Sequence, residues 1–408
     1  MHKLFESYKF ANLFGKNPFL MSNFVERERE RVRAKYRVPI GYSREDLLGE
    51  PVYLDLKEPC GMSIVAIRGG GKTTLISNII ANAWLNGFKI VIAFDYRDEY
   101  KEKFFGVLRR IASFNVCEEA RMLYRRLSPA FLDNRAEKFL FDMDELGMGD
   151  IFTAFGIEEG SYSPQETALR IIFDRLKRKG FQPTLRVLKK VFMNEKIFNE
   201  ITQGLVAKQT RNAFVARILD MSSYKVFGKM EFDFRSALFD PSILNFVYKG
   251  FDKSSLRNFL YVYLAIIERK IRTLLGERRQ DTIVVYDEAS IPCPKRAHLP
   301  CKDEIKESLQ RGREWGESMI FGIQEISQVD DVVLGQSRYV FINPMTRRTY
   351  VNKIINDMNL RDTVGLRIFD ALSMINYWRE KGMIKNWPWI MIDRFADKPK
   401  VVFPMVIV

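Results

Sequence analysis

The chain has 408 residues, enough for two to three domains and for a large apolar core without disulfide or metal staples. At 47% hydrophobic and 28% charged it is not depleted of apolar side chains as disordered chains are, and its longest apolar stretch of interest, Phe259 to Ile267, is about half what a bilayer requires. Sixty-five Lys and Arg against 51 Asp and Glu leave a net charge of +14, so the surface should attract polyanions, either nucleic acid or an anionic membrane.

Only two histidines are present, His2 and His298, which all but excludes a multi-histidine zinc site and leaves a serine triad with His298 alone. Four cysteines (Cys60, Cys117, Cys293, Cys301) form no CxxC, which suits a reducing compartment. Cys293, His298 and Cys301 stand close together but lack a fourth ligand, so a plain loop is expected there. Lys3, Glu6 and Lys9 interrupt what would be the apolar region of a signal peptide, and a cytoplasmic location is expected.

Residues 1–48 read as a charged N-terminal arm. Within it Val25–Arg37 carries Glu/Arg pairs three apart, the pattern of a solvated helix, with Asn23 and Glu26 as a capping pair. From Pro51 the pattern changes to a strand-like VYLDL, an apolar run over Ser63–Ile67, three glycines, a helix over Lys72–Asn86 closed by Gly87, and a continuous apolar strand over Phe88–Asp95. Unbroken apolar strands are those buried on both faces of a parallel sheet, so this is a β-α-β unit.

Residues 101–240 turn helical: Leu169, Ile172, Phe173 and Leu176 follow the spacing of one helix face, and Leu185, Leu188 and Phe192 repeat it. Arg170, Arg175, Lys177, Arg178 and Lys179 cluster on one such helix and Arg121, Arg125 and Arg126 on an earlier one, which more often means a solvated face than phosphate contact. Strands return at Ile243–Tyr248, followed by a helix from Ser254 to Leu275 stopped by Gly276. Further strands are expected at Thr282–Tyr286, Met319–Ile323, Arg338–Ile342, Ile390–Ile392 and Val401–Val408. The expected architecture is α/β, with a mostly parallel sheet over 49–100 and 241–408 and an all-α insertion over 101–240.

The segment SIVAIRGGGKTTLISNII joins an apolar strand to a helix through Gly69, Gly70 and Gly71. Glycines there let backbone N–H groups close on phosphate oxygens, the helix N-terminus adds its dipole, Lys72 supplies a point charge, and Thr73, followed by Thr74, offers a hydroxyl to Mg²⁺. Ala66 stands where the usual pattern has its first glycine. DTIVVYDEA delivers Asp287 and Glu288 to the C-terminal edge of the sheet, where the first can hold Mg²⁺ through water and the second can deprotonate an attacking water. Gln324 ends the strand MIFGIQ and could hold that water, and Arg311 or Arg313 just before it could reach a neighbouring subunit's nucleotide.

In this order, PVYLDL, IRGGGKTT, KIVIAFDYRDEY, a helical insertion, ILNFVY, VVYDEA and RGREWGESMIFGIQE, the chain resembles the HerA/FtsK superfamily, in its HerA-like branch of DNA-translocating ATPases and without that branch's N-terminal barrel. The resemblance implies a RecA-like P-loop NTPase fold, ATP and Mg²⁺ as cofactors, a homo-oligomeric ring of six and duplex DNA passed through its pore; the transmembrane helices of the superfamily's membrane-anchored coupling proteins have no counterpart in the apolar runs, so no integral membrane association is expected. It also implies phosphate binding by Lys72 and Thr73, metal support by Asp287, Glu288 as base, Gln324 as sensor and Arg313 in preference to Arg311 as the trans-acting arginine. A P-loop phosphotransferase, or an assembly protein gated by nucleotide without repeated turnover, would share the phosphate loop; neither needs processive hydrolysis on DNA.

Overall fold

The computed structural model describes residues 35–43 and 50–404, except positions 130, 131, 134, 158, 159, 224–227, 229–231, 241, 250–253, 383 and 385–387. The Asn23/Glu26 pair, residues 25–34 of the predicted first helix and residues 405–408 of the predicted last strand lie outside the described residues.

Twelve strands of the described residues form one sheet: β1 (Arg37–Ser43), β2 (Pro51–Asp55), β3 (Gly61–Val65), β4 (Lys89–Asp95), β5 (Tyr124–Ser128), β6 (Glu137–Lys138), β7 (Ile243–Val247), β8 (Thr282–Tyr286), β9 (Glu317–Ile323), β10 (Ser337–Ile342), β11 (Trp389–Asp393) and β12 (Lys400–Pro404). Their order is β2-β1-β12-β11-β10-β3-β9-β8-β4-β7-β5-β6. From β10 to β6 every neighbouring pair is parallel, while β2, β1, β12 and β11 form an antiparallel edge that joins β10. This is the mostly parallel sheet with flanking helices that the apolar strands predict.

Helices α1 (Lys72–Leu85), α2 (Tyr100–Ile111) and α3 (Phe114–Leu123) follow in the first half. The helical stretch contributes α4 (Met148–Ala154), α5 (Pro164–Arg178), α6 (Leu185–Met193), α7 (Glu195–Thr202), α8 (Lys208–Ser223) and α9 (Phe234–Phe239). After it come α10 (Ser254–Glu277), α11 (Pro300–Trp315), α12 (Asp331–Gln336), α13 (Arg348–Asp357) and α14 (Asp362–Glu380).

Strands β3, β4, β7, β8 and β9 are buried at every position, and alternate residues sort to opposite faces because side chains alternate along a strand. Ile90, Ile92, Ile283, Val285 and Ile320 pack with α1 and α2 in one apolar cluster. Val91, Val284, Phe246 and Phe321 pack on the other side with α5, α6 and α10.

Three local differences from the sequence reading have physical causes. Residues 37–43, assigned to the charged arm, form β1 and fill the gap between β2 and β12, with Val38 and Ile40 fully buried. The strand is short and its β12 partner is distant, so no local pattern announces it. Within 101–240, β5 and β6 extend the parallel sheet beside β7, so the stretch is not helical throughout. The long helix begins at Ser254 and continues through Gly276 to Glu277, since one glycine near a helix end weakens it without stopping it.

Seven of the eight clustered cations are occupied by neighbours. Arg170 pairs with Glu166, Arg178 with Asp174 at 2.7 Å and Lys179 with Glu200, while Arg175 donates to the Ile201 carbonyl. Arg126 is held by Asp98 and Asp133, Arg125 by Glu137 and Arg121 by Glu118. Among the described residues no helix is long and apolar enough to cross a membrane.

Candidate nucleotide site

The loop between β3 and α1 is built by two left-handed glycines, Gly69 (φ 78°) and Gly71 (φ 81°), a conformation that L side chains resist. Between them the Gly70 N–H donates to the Ile67 carbonyl at 3.0 Å. A Cβ on Gly70 would lie 3.0 Å from both the Ala66 Cβ and the Ile67 oxygen, so this position is also sterically closed. Ala66 is not among the residues with positive φ; it is buried and donates its N–H to the Ile323 carbonyl at 3.0 Å. Its methyl group therefore costs no backbone strain, and the missing first glycine of the pattern is not needed here.

Lys72 opens α1 and is nearly buried. Its Nζ lies 3.3 Å from Glu288 Oε2, which joins the phosphate loop to the acidic pair after β8. Glu288 also accepts from the Ser290 hydroxyl at 3.0 Å. The crossing of Lys72 toward Glu288 needs Gly322 in β9, where a Cβ would sit 2.1 Å from the Asp287 carbonyl oxygen and 3.2 Å from the Lys72 Cδ. Gln324 follows Ile323, whose carbonyl receives the Ala66 N–H, so its backbone stands beside the base of the loop. Thr73 and Thr74 occupy the first turn of α1 and are half-buried.

Asp287 is buried, and loss of water pushes its carboxyl up to about 6; nearby Asp95 and Glu288 add to the shift, whereas Lys72 and the Tyr100 hydroxyl oppose it. Tyr100 donates to Asp287 Oδ1 at 3.0 Å. Asp95, at the end of β4, accepts backbone N–H groups from Asp98, Glu99 and Tyr100 and the Asn245 side-chain amide at 3.0 Å. Burial raises its carboxyl; the Asn245 amide and the Tyr100 and Glu99 N–H groups work against the rise, and the charge of Asp98 adds to it. The turn after β4 is thus fixed by one carboxylate, and Tyr100 is held where its ring is fully buried and its hydroxyl meets Asp287.

Within one chain Arg311 and Arg313 do not join this cluster. They lie in the last turns of α11, which leads into Glu317 at the start of β9, whereas the phosphate loop touches Ile323 at its end. A strand of that length separates them by about 20 Å at ~3.3 Å per residue. Arg311 is tied to Glu307 and Glu314, and Arg313 is exposed, with Glu58 4.0 Å away.

Three contributors carried no assigned role in the sequence reading. In the sequence Tyr100 stands out only as the end of KIVIAFDYRDEY, with no contact to mark it. Asn245 in β7 and Asn343 after β10 were not singled out, although Asn343 offers the same signal as Gln324, an amide ending a buried strand. His298 is exposed, and the Cys301 thiol donates to the Pro292 carbonyl at 3.3 Å.

The sequence model of the family described as helicase HerA, central domain, matches residues 39–261, more than half of the chain and including both the phosphate loop and the turn after β4. This chain belongs to the HerA central-domain family. It is a HerA-type P-loop NTPase, as its motifs indicate. Among solved structures, the HerA-family chain is similar to VirB4 of Thermoanaerobacter pseudethanolicus at 13% identity, over 91% of this chain and 96% of that one, with a TM-score of 0.61. It also matches the plasmid coupling protein TrwB in complex with ADP and Mg²⁺ (15% identity, 80% and 81% coverage, TM-score 0.49). A third match is the genome packaging NTPase B204 from Sulfolobus turreted icosahedral virus 2 in complex with ATP-gammaS (11% identity, 85% and 98% coverage, TM-score 0.33). A comparison with curated proteins finds no significant match.

Proposed function

We propose that the HerA-type chain is an ATP-driven translocase of double-stranded DNA, acting in the cytoplasm as a homo-oligomeric ring of six in DNA packaging or transfer. The observation that carries the reading is the 3.3 Å approach of Lys72 to Glu288, which brings the phosphate loop and the acidic pair into one site. Family membership supports the motor, and the net charge of +14 supports a polyanionic partner.

The residues fit Mg²⁺ and a triphosphate. Asp287 has its charge buried, only one of its oxygens engaged by a hydrogen bond among the described residues, and a pKa raised by desolvation, which a cation would offset. Mg²⁺, held by the Thr73 hydroxyl and through water by Asp287, would neutralise charge on the phosphate oxygens. Gly69, Gly70, Gly71 and Lys72 bind the phosphates, with Thr74 continuing the first turn of the helix. Glu288 is the ion-pair partner of Lys72; a terminal phosphate that takes the ammonium group releases Glu288 to accept the proton of the attacking water, and Gln324 orients that water. Arg313, or failing it Arg311, serves a neighbouring subunit's nucleotide, since neither reaches its own. Residues 101–240, apart from the two strands β5 and β6 that they add to the sheet, then act as the helical insertion of the motor core.

ATP hydrolysis should rise with duplex DNA and be lost in Glu288→Gln while nucleotide binding persists. DNA affinity should fall steeply with salt, because neutralised phosphates release counterions. Turnover indifferent to DNA ends the motor reading. Phosphate transfer to an acceptor other than water would establish the phosphotransferase, and full biological activity of Glu288→Gln would establish the nucleotide-gated assembly protein.

A further inference from the structure

The peptide between Gly70 and Gly71 is the weak point of the phosphate loop. It lies between two glycines, the second at φ 81°, and such a peptide plane turns over at little steric cost. In one orientation its N–H faces the cradle; in the other its carbonyl does, and a carbonyl there repels phosphate. Something must select the first.

The selecting contact comes from Asn343. In the parallel pairing of β10 with β3, Ile342 stands opposite Val65, so the next residue of each strand reaches the loop at the same level. The Asn343 side-chain Nδ2 donates to the Gly70 carbonyl at 2.9 Å. Its own amide is fixed in turn: the backbone N–H donates to the Val65 carbonyl at 2.9 Å, Oδ1 accepts from the Met345 N–H at 2.9 Å, and the Asn343 carbonyl accepts from the Thr346 N–H. The Met345 N–H demands the oxygen end of the amide, so the nitrogen end is assigned to Gly70 by the network. The residue is fully buried, where an amide is retained only if its polar atoms are bonded. In a trans peptide the C=O and the following N–H point in opposite directions, so anchoring the Gly70 oxygen turns the Gly71 N–H the other way.

We propose that Asn343 is a positioning residue that presets the phosphate loop for nucleotide by locking the Gly70–Gly71 peptide. The inference rests on the nucleotide-binding part of the proposed function and is independent of DNA. Its effect is on binding rather than on the chemical step, because it arranges a donor used equally in the ground state and the transition state.

The test uses the full chain, Mg²⁺ and a fluorescent ADP analogue, with steady-state ATP hydrolysis alongside. Asn343→Asp keeps the acceptor for Met345 and the side-chain shape but opposes the Gly70 carbonyl with an acceptor-only group. Asn343→Ala removes both contacts. Expected is a nucleotide Kd raised about tenfold in the alanine variant, the size of one net hydrogen bond, and at least as much in the aspartate variant. KM for ATP should rise in parallel while kcat at saturating ATP stays within about twofold. A purely structural role would lower the folded, active fraction and hence kcat, with the Kd of the folded fraction unchanged. Kd values within twofold of the natural chain in both variants overturn the inference and leave the nucleotide reading intact. No binding of the analogue by the natural chain overturns the nucleotide reading and this inference together.

Discussion

The Tyr100 hydroxyl donates to Asp287 Oδ1 at 3.0 Å, so the first residue of α2 supports the carboxylate that follows β8. Tyr100→Phe keeps the buried ring and deletes only that donor. A buried charged acceptor left without its partner costs about 1–3 kcal/mol. In an Asp287→Asn background the same change should cost less, since no charge is then left unpaired. Denaturant unfolding of the four proteins measures the coupling, and strictly additive costs would show that Tyr100 does not act through Asp287.

Lys72 and Glu288 form an ion pair at 3.3 Å. Removing the carboxylate charge frees Lys72 for phosphate, so Glu288→Gln should bind ATP a few-fold tighter while hydrolysing it about 10²-fold to 10⁴-fold more slowly, the usual contribution of a general base. Lys72→Ala should lose binding itself. Equilibrium titration with a fluorescent nucleotide together with phosphate release separates the two outcomes.

Gly322 leaves no room for a side chain beside the Asp287 carbonyl and the Lys72 stem. Gly322→Ala forces β9 away from β8 at the site, with a stability loss of about 1–3 kcal/mol or more from overpacking and a loss of turnover greater than the loss of folded protein. A variant with unchanged unfolding midpoint and unchanged hydrolysis would contradict this geometry.

Glu268 in α10 and Glu317 in β9 are buried side by side, with Tyr286 donating to the first and the Trp315 indole to the second at 3.0 Å. Burial raises both carboxyls, and for Glu317 the charge of Glu268 adds to the rise. Because the folded pKa values exceed the unfolded value near 4.5, the stability they contribute is complete below that value and is lost as pH rises through the folded ones. Glu268→Gln supplies a permanent amide donor to Glu317. The gap in Tm between variant and natural chain should therefore widen in the variant's favour from pH 5 to pH 8. A gap independent of pH would mean that the pair is not protonated in the native state.

The central sheet was legible because its strands are continuous apolar runs. Thr282–Tyr286 matches β8 at both ends, and Met319–Ile323 needs only two more residues, Glu317 and Ser318, at its start. Both additions are polar yet buried, so hydropathy had excluded them. Gly69 to Lys72 and Asp287 to Glu288 could be found by pattern, since their chemistry fixes residue type and spacing. The partnership of Tyr100 with Asp287 could not, because 187 positions separate them and only the β4–β8 pairing brings them together. Asn343 escaped notice for a related reason: its importance lies in which carbonyl it meets, and that depends on β10 lying beside β3.

The ladder that joins Gly41–Ser43 to Val402–Pro404 ties the first described strand to the last. During synthesis β1 emerges early yet must wait for nearly the whole chain before its second flank is covered, and until then β11 also lacks its outer neighbour. Unpaired strand edges recruit other chains. A nascent polypeptide stalled before β12 would thus carry two sticky borders, and late ribosome stalling should send this protein into aggregates more readily than stalling before β11 exists.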